Sequence, residues 1–278
     1  MSYRDDIKSF VQKSEQKYRP LTFVRETSDK HFIVSDNDII ITHSDEEMKS
    51  YVSRYLLLAS KEIVCAVSPP QFLNPSTWLS ILSHVDGEIP CSRISTLQEI
   101  ERYGIEICKR EITRHKVDLV FIDGVLLNQK FYVIDDTHVI FYNPGSELGE
   151  FELFGQIVPN IELAAHYKSE FLQLKKIALP ARFVLAQLQK KKDEIMLSLL
   201  STLSDSDAKW IESIFNFGVF SNTYFESDKK KEMLDKALKL NFFKQIKNRL
   251  VPNYGLIFED LKLLWHETME EQNYETRH

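Results

Sequence analysis

Asn128-Gln129-Lys130-Phe131-Tyr132-Val133-Ile134-Asp135 is the stretch whose reading decides the fold. Its centre is a run of aromatic and β-branched residues, the composition of a strand. Asp135-Asp136 follows, and Asp tolerates the left-handed backbone that a tight turn requires. Val139 to Tyr142 reads as a second strand beyond that turn. Asp118 to Ile122, closed by Asp123-Gly124, reads as one before it.

Working outward, helices alternate with short apolar strands. Glu46 to Leu58 carries Met48, Tyr51, Val52, Tyr55 and Leu56 at helical spacing. Glu62 to Val67 reads as a buried strand ended by Ser68-Pro69-Pro70. The spacing then predicts a helix from Pro75 to His84, a strand at Cys91 to Ile94, a helix from Leu97 to Tyr103 and a strand at Ile105 to Cys108. Past the opening stretch come a strand at Phe151 to Val158 and a helix from Ile161 to Ile177. Such alternation argues for an α/β layer with a largely buried sheet.

Residues 46–179 in this order resemble half of a phospholipase D-like domain. In that superfamily a strand carries His-x-Lys-x4-Asp, where the His attacks phosphorus and the Lys neutralises phosphate oxygens. Lys130 and Asp135 stand at the matching spacing, with Asn128 in the place of the His. An amide has no basic lone pair and cannot form the phosphohistidine of covalent catalysis. The resemblance therefore implies a fold kept for binding, a pseudoenzyme whose anion-site candidates are Asn128, Lys130 and Asn143. Asp135 and Glu152 match the family as structural partners of the motif. The chain departs from the family at the Gly-Ser-x-Asn segment, where Tyr142-Asn143 stands and Gly145-Ser146 comes later. His166-Tyr167-Lys168 repeats His-x-Lys, but on the predicted helix and without the Asp, so His166 reads as a helix-surface residue.

Composition narrows the classes. The chain has 278 residues, 43% hydrophobic, with 18 Phe, enough to pack a core. Only 8 Gly are present and no Gly-rich phosphate loop is spelled out. Cys65, Cys91 and Cys108 lie far apart, and nothing has zinc-ligand spacing, so the expectation is buried thiols, no metal and no cofactor. No apolar run spans a membrane and no signal peptide opens the chain, which points to a cytoplasmic protein.

Three segments are expected: 1–45, an N-terminal helix and hairpin; 46–179, the α/β domain; and 180–278, a mainly helical domain. In the first, Tyr3 to Lys17 reads as a polar helix. Phe32 to Val34 and Ile39 to Ile41 flank Ser35-Asp36-Asn37-Asp38 as a hairpin. In the last, Phe183 to Leu203 reads as a helix whose apolar pattern breaks at Lys190-Lys191-Lys192. Ser204 fits the N-cap of the next helix, and Gly218 its stop. A basic helix spans Asp228 to Phe242, then Gln245 to Val251 and Leu256 to Glu259 read as strands around a turn. A final helix holds Leu261 and Trp265, with a fraying tail from Thr268.

Net charge is −6, yet Lys229, Lys230, Lys231, Lys236, Lys239, Lys244, Lys247 and Arg249 face only Glu232 and Asp235 over one stretch. Helix, helix, basic helix and hairpin is the order of a winged helix, with double-stranded DNA as the candidate partner. The plainer reading is favoured, a helical domain whose lysines form a solvated face, because no side-chain pattern is specific.

Three functions follow as expectations. The first is a non-catalytic sensing or docking protein with a DNA-binding C-terminal domain, in the manner of transcription regulators. Archaeal sugar-responsive regulators resemble it, which implies a small anionic or sugar ligand, although they place the DNA-binding domain first. The second is a phosphodiesterase or nuclease using another nucleophile, with His115 and His138 nearest in sequence. The third is a protein scaffold. Because the chain holds a single half-domain, a homodimer with Lys130 near the interface is expected.

Overall fold

The computed structural model describes residues 23–27, 30–34, 39–42, 45–66, 75–85, 87–127, 130–142, 155–200, 204–217, 237–246 and 249–275, with 232 and 235. In chain order the first elements are β1 (Phe23–Thr27), β2 (Lys30–Val34), β3 (Ile40–Thr42), α1 (Asp45–Leu58), β4 (Ile63–Ala66), α2 (Pro75–His84) and β5 (Cys91–Thr96). Next come α3 (Leu97–Tyr103), α4 (Ile105–Arg114), β6 (Asp118–Ile122), a 3-10 turn (Gly124–Leu126), β7 (Lys130–Ile134), β8 (His138–Tyr142), β9 (Gly155–Pro159) and α5 (Ile161–Lys176). The last are β10 (Leu179–Pro180), α6 (Ala181–Leu200), α7 (Asp205–Phe217), β11 (Phe243–Ile246), β12 (Arg249–Pro252) and α8 (Phe258–Glu275).

Two compact units share these elements. The first holds residues up to Ser95, Ile112–Asp118 and Val125–Ile177; the second holds Thr96–Glu111, Leu119–Gly124 and the chain from Ala178 on. Within the first, six strands hydrogen-bond in the order β5-β4-β7-β8-β9-β3. β4 and β5 are parallel, and the remaining pairs are antiparallel. All four residues of β4 are buried, as an interior strand covered on both faces demands. The α1 residues Met48, Tyr51, Val52, Tyr55 and Leu56 are buried at the spacing read from the sequence. Cys65, Cys91 and Cys108 are buried free thiols.

In the second unit β10 pairs antiparallel with β6, α6 packs on α7, and β11 pairs antiparallel with β12. α3 packs against α7 and β12. Ser204 caps α7: its carbonyl accepts from Asp207 and Ala208 at 3.0 and 2.9 Å.

Several local expectations are corrected. Ile105 to Cys108 is not a strand but the first turn of α4. Gly104, at φ 82°, donates its N–H to the Ile100 carbonyl and turns the chain from one helix into the next. The buried residues Ile105, Cys108 and Glu111 recur at helical spacing, a period that four residues cannot reveal. Phe32 to Val34 and Ile39 to Ile41 do not form a hairpin. β2 pairs with β1, and β3 pairs with β9, because Ile39 and Ile40 are both core residues. α6 runs unbroken through Lys190 to Lys192. Lys192 is buried there and donates to Glu212 and Asn216 of α7 at 3.2 and 3.0 Å. The C-terminal hairpin is shifted: Phe243 pairs with Pro252, and Leu256 to Glu259 runs into α8 instead of forming a strand. α8 extends to Glu275, past the expected fraying point. The strand expected from Phe151 begins, among the described residues, at Gly155. The N-terminal helix and Gly218 lie outside the described residues. So does most of the basic helix, whose residues 237–239 are helical.

Candidate functional site

Side chains alternate across β7. Phe131 meets Tyr167 of α5 with ring centroids 4.9 Å apart, and Phe141 of β8 meets the same ring at 4.9 Å. Lys130, Tyr132 and Ile134 therefore face away from α5. Ala66, the last residue of β4, lies opposite Phe131, so Lys130 stands one residue beyond the carboxyl end of β4. Parallel strands of an open α/β sheet place ligands at their carboxyl ends. Lys130 is half-buried there and pairs with Tyr142 of β8. Its two companions from the sequence, Asn128 and Asn143, lie outside the described residues, as does Glu152.

One cation on the same face was not singled out from the sequence. Arg93 and Tyr132 both lie opposite Cys65, so the three share a face of the sheet. Arg93 is fully buried, two strands from Tyr132 or about 10 Å at ordinary strand spacing. The signal was available: a guanidinium inside a strand buried along its length is uncommon.

Asp135 is at the other end of the strand. It stands five positions on from Lys130, about 17 Å at the usual rise. Asp135 and Asp136 sit at φ 55° and 57°, the left-handed turn read from the sequence. The Asp135 carboxylate gathers the chain that leads into β4. Ser60 N–H donates at 2.9 Å, Lys61 N–H at 2.7 Å, Glu62 N–H at 3.1 Å and the Ser60 hydroxyl at 2.9 Å. Burial pushes this carboxyl up, but the hydrogen bonds from Lys61, Ser60 and Glu62 together outweigh it and hold Asp135 below the ordinary carboxylate range. Beside it Lys168 of α5 binds Asp136 at 2.7 Å and also Glu62, while Lys61 binds Asp136 from the other side. Hydrogen bonds from Lys168 and Lys61 hold Asp136 far below its usual range. Asp135 thus braces the entry to β4, and Lys168 of the repeated His-x-Lys serves the same clasp. His166 is half-exposed on the helix.

Neither alternative nucleophile lies beside Lys130 in the sheet. His138 pairs with Ile134, at the Asp135 end, four residues along β8 from the partner of Lys130. Its Nδ1 is 2.8 Å from Thr137 Oγ1, and its ring lies 5.2 Å from that of Tyr55. His115 precedes β6, whose first residue Asp118 is ion-paired to Lys175, two turns beyond Lys168 on α5. Burial, then the charge of Arg114, lowers the His115 pKa.

In the second unit Phe215, Phe243 and Tyr254 form an aromatic core, and the buried Tyr254 phenol donates to the Phe215 carbonyl at 3.3 Å. Burial pushes that phenol well above its usual pKa. Of the basic set, Lys239 is exposed and Lys244 is ion-paired to Glu101 of α3 at 2.5 Å. Arg249 opens β12, and Lys229, Lys230, Lys231, Lys236 and Lys247 lie outside the described residues. Among the described residues no three His, Cys, Asp or Glu come together to hold a metal, and no helix is long and apolar enough to cross a membrane.

No protein-family model and no curated protein matches the chain. Among solved structures, 51% of the chain is similar to 52% of TrmBL2, an archaeal chromatin protein with a novel mode of DNA binding, at 14% identity and a TM-score of 0.39. The same share is similar to 96% of NucT from Helicobacter pylori, at 12% identity and a TM-score of 0.37. It is likewise similar to 96% of Nuc from Salmonella typhimurium, a phospholipase D family member, at 11% identity and a TM-score of 0.38.

Proposed function

We propose that this chain is a non-hydrolytic phospholipase D-like module that holds a small anionic ligand at the Lys130 edge of its sheet. Its C-terminal unit is a winged-helix-type contact for double-stranded DNA. The observation that carries the first half is the division of labour along β7. Lys130 stands at the carboxyl edge of the parallel strands, where a ligand is placed, and Asp135 is occupied with backbone donors at the far end. With Asn128 in the nucleophile position, what remains at that edge is positive charge and neutral donors, which bind an anion without cleaving it. The second half is supported by α7, the helical residues 237–239 and the β11–β12 hairpin, which follow the element order of a winged helix. Lys239 is exposed on it. The half-domain is completed by a second copy, which makes the protein a homodimer.

The test has two arms. In the first, the purified chain and the Lys130→Ala, His115→Ala and His138→Ala variants are given bis(p-nitrophenyl) phosphate. Background rates throughout are expected. Turnover that any one change abolishes would overturn the non-hydrolytic reading. In the second arm, anisotropy of a labelled duplex is followed against salt. Several phosphate contacts make log K fall steeply with log salt; no binding at low salt, by the wild type or by a variant whose lysines are released from intramolecular partners, refutes the DNA-contact reading. Light scattering at micromolar concentration tests the dimer, which a monomeric mass would exclude.

A further inference from the structure

Lys244 is the residue of the basic set whose ammonium has a described intramolecular partner. α3 packs against α7 and β12 within the C-terminal unit, and it carries Glu101 to the hairpin. Ile100 and Tyr103 are buried and fix the helix, so Glu101 is delivered from a rigid base. Its side chain is 14% exposed and its carboxylate meets Lys244 Nζ at 2.5 Å, while the Lys244 side chain remains 39% exposed. The acid is therefore sheltered and the base is at the rim, open to a second anion.

We infer that Glu101 is an intramolecular stand-in for phosphate, and that α3 acts as a lock on the hairpin. A DNA phosphate and the Glu101 carboxylate compete for one ammonium. The chain then binds duplex below the affinity its basic residues allow, and any movement of α3 away from β12 raises that affinity. This rests on the DNA-contact reading proposed above and adds regulation to it. Two physical features favour competition over simple salt-bridge stability. The pair is open to solvent on its Lys244 side, and Glu101→Gln keeps a polar group in the sheltered position, so its loss is tolerated. And a phosphate offers Lys244 the same charge-assisted hydrogen bond that the carboxylate gives it.

The experiment measures the affinity of the full chain for a mixed-sequence duplex at fixed low salt, in wild type, Glu101→Gln, Lys244→Gln and the double variant. Glu106→Gln serves as the control for net charge; it removes an acid of α4 whose partner is Lys109. Circular dichroism melts verify that each variant folds. The expected result is a gain of about two- to fivefold for Glu101→Gln, the size of a partly exposed ion pair converted to affinity. The gain is expected to vanish when Lys244→Gln is added and to be absent in Glu106→Gln. Wild-type binding that Glu101→Gln leaves unchanged, or that Glu106→Gln raises as much, sinks the lock and leaves the DNA-contact reading intact. Binding by neither wild type nor Glu101→Gln sinks both. Binding that appears only in Glu101→Gln supports both.

Discussion

Replacing Asp135 should loosen the first unit at its turn, by an amount the geometry sets. At pH 7 its carboxylate accepts three backbone N–H groups and one hydroxyl, between 2.7 and 3.1 Å. Charge-assisted hydrogen bonds each contribute about 1.5–3 kcal/mol when sheltered. Here water can reach the site and re-solvate the freed donors of Ser60 and Lys61, so about 1 kcal/mol is the expected loss for all of them together. Alanine also inherits a φ of 55° without the side-chain compensation of Asp, adding about 1 kcal/mol. Asp135→Ala should therefore cost about 2 kcal/mol, and Asp135→Asn, which keeps one acceptor and tolerates the backbone, about half as much. Urea unfolding followed by circular dichroism reads this as a midpoint shift of about 1 M for the alanine variant. The pH dependence has a fixed sign. The folded carboxyl sits below its ordinary value of 3.8, so its stabilisation is present above that pH and is lost as pH falls through the folded pKa. The difference between wild type and Asp135→Asn should therefore shrink between pH 5 and the acid limit. An alanine variant as stable as wild type, or an Asn penalty that does not fade in acid, would refute the clasp.

Lys168→Met should cost about 1–2 kcal/mol near neutral pH, since it takes the shared cation from Glu62 and Asp136 and leaves Asp136 its ion pair with Lys61. Lys168 and Lys61 hold Asp136 low, while Lys168 itself is raised despite burial because Asp136 and Glu62 hydrogen-bond it. The penalty should thus be level between the carboxylate range and the lysine range and fall off beyond either, as melts across pH will report. Gly155→Ala should destabilise the first unit by about 1–3 kcal/mol, measured by thermal melting. An added Cβ would lie 2.8 Å from the Phe141 carbonyl and against the Met48 sulfur; the thioether can swing aside, the backbone carbonyl of β8 cannot.

What the sequence made legible is what local chemistry determines. β7, the Asp135-Asp136 turn and β8 were readable because the run is β-branched, the turn residues accept positive φ, and the partner strand follows at once. The helices α1, α2, α3 and α5 were readable from their period. Partners distant in sequence were not. Ile40–Thr42 pairs with a strand more than a hundred residues later, and no residue within it names that partner. The strand misread at Ile105 failed because Ile-Glu-Ile-Cys alternates for four residues before the helical period shows itself at Glu111. The C-terminal hairpin was shifted because Pro252-Asn253-Tyr254-Gly255 has strong turn chemistry. In the fold that segment ends β12 and leads to α8, with Asn253 bonding back to the Phe242 carbonyl at 2.9 Å.

The same strand explains why half of a catalytic motif can stay meaningful after the other half has changed. Lys130 and Asp135 look like one signature in the sequence, yet a strand about 17 Å long separates them, and they act on different problems. Asp135 organises the entry to β4 through backbone N–H groups, which are present whatever chemistry the other end performs. Its presence therefore follows from the fold and says nothing about turnover. On the reading proposed above, chemistry turns on the Lys130 end, where Asn128 stands at the place of the family's imidazole and an amide offers no basic lone pair. Loss of a covalent nucleophile costs several orders of magnitude in rate even where binding and electrostatics persist, so the proposed reading predicts a phosphodiester held at that end and released essentially unchanged.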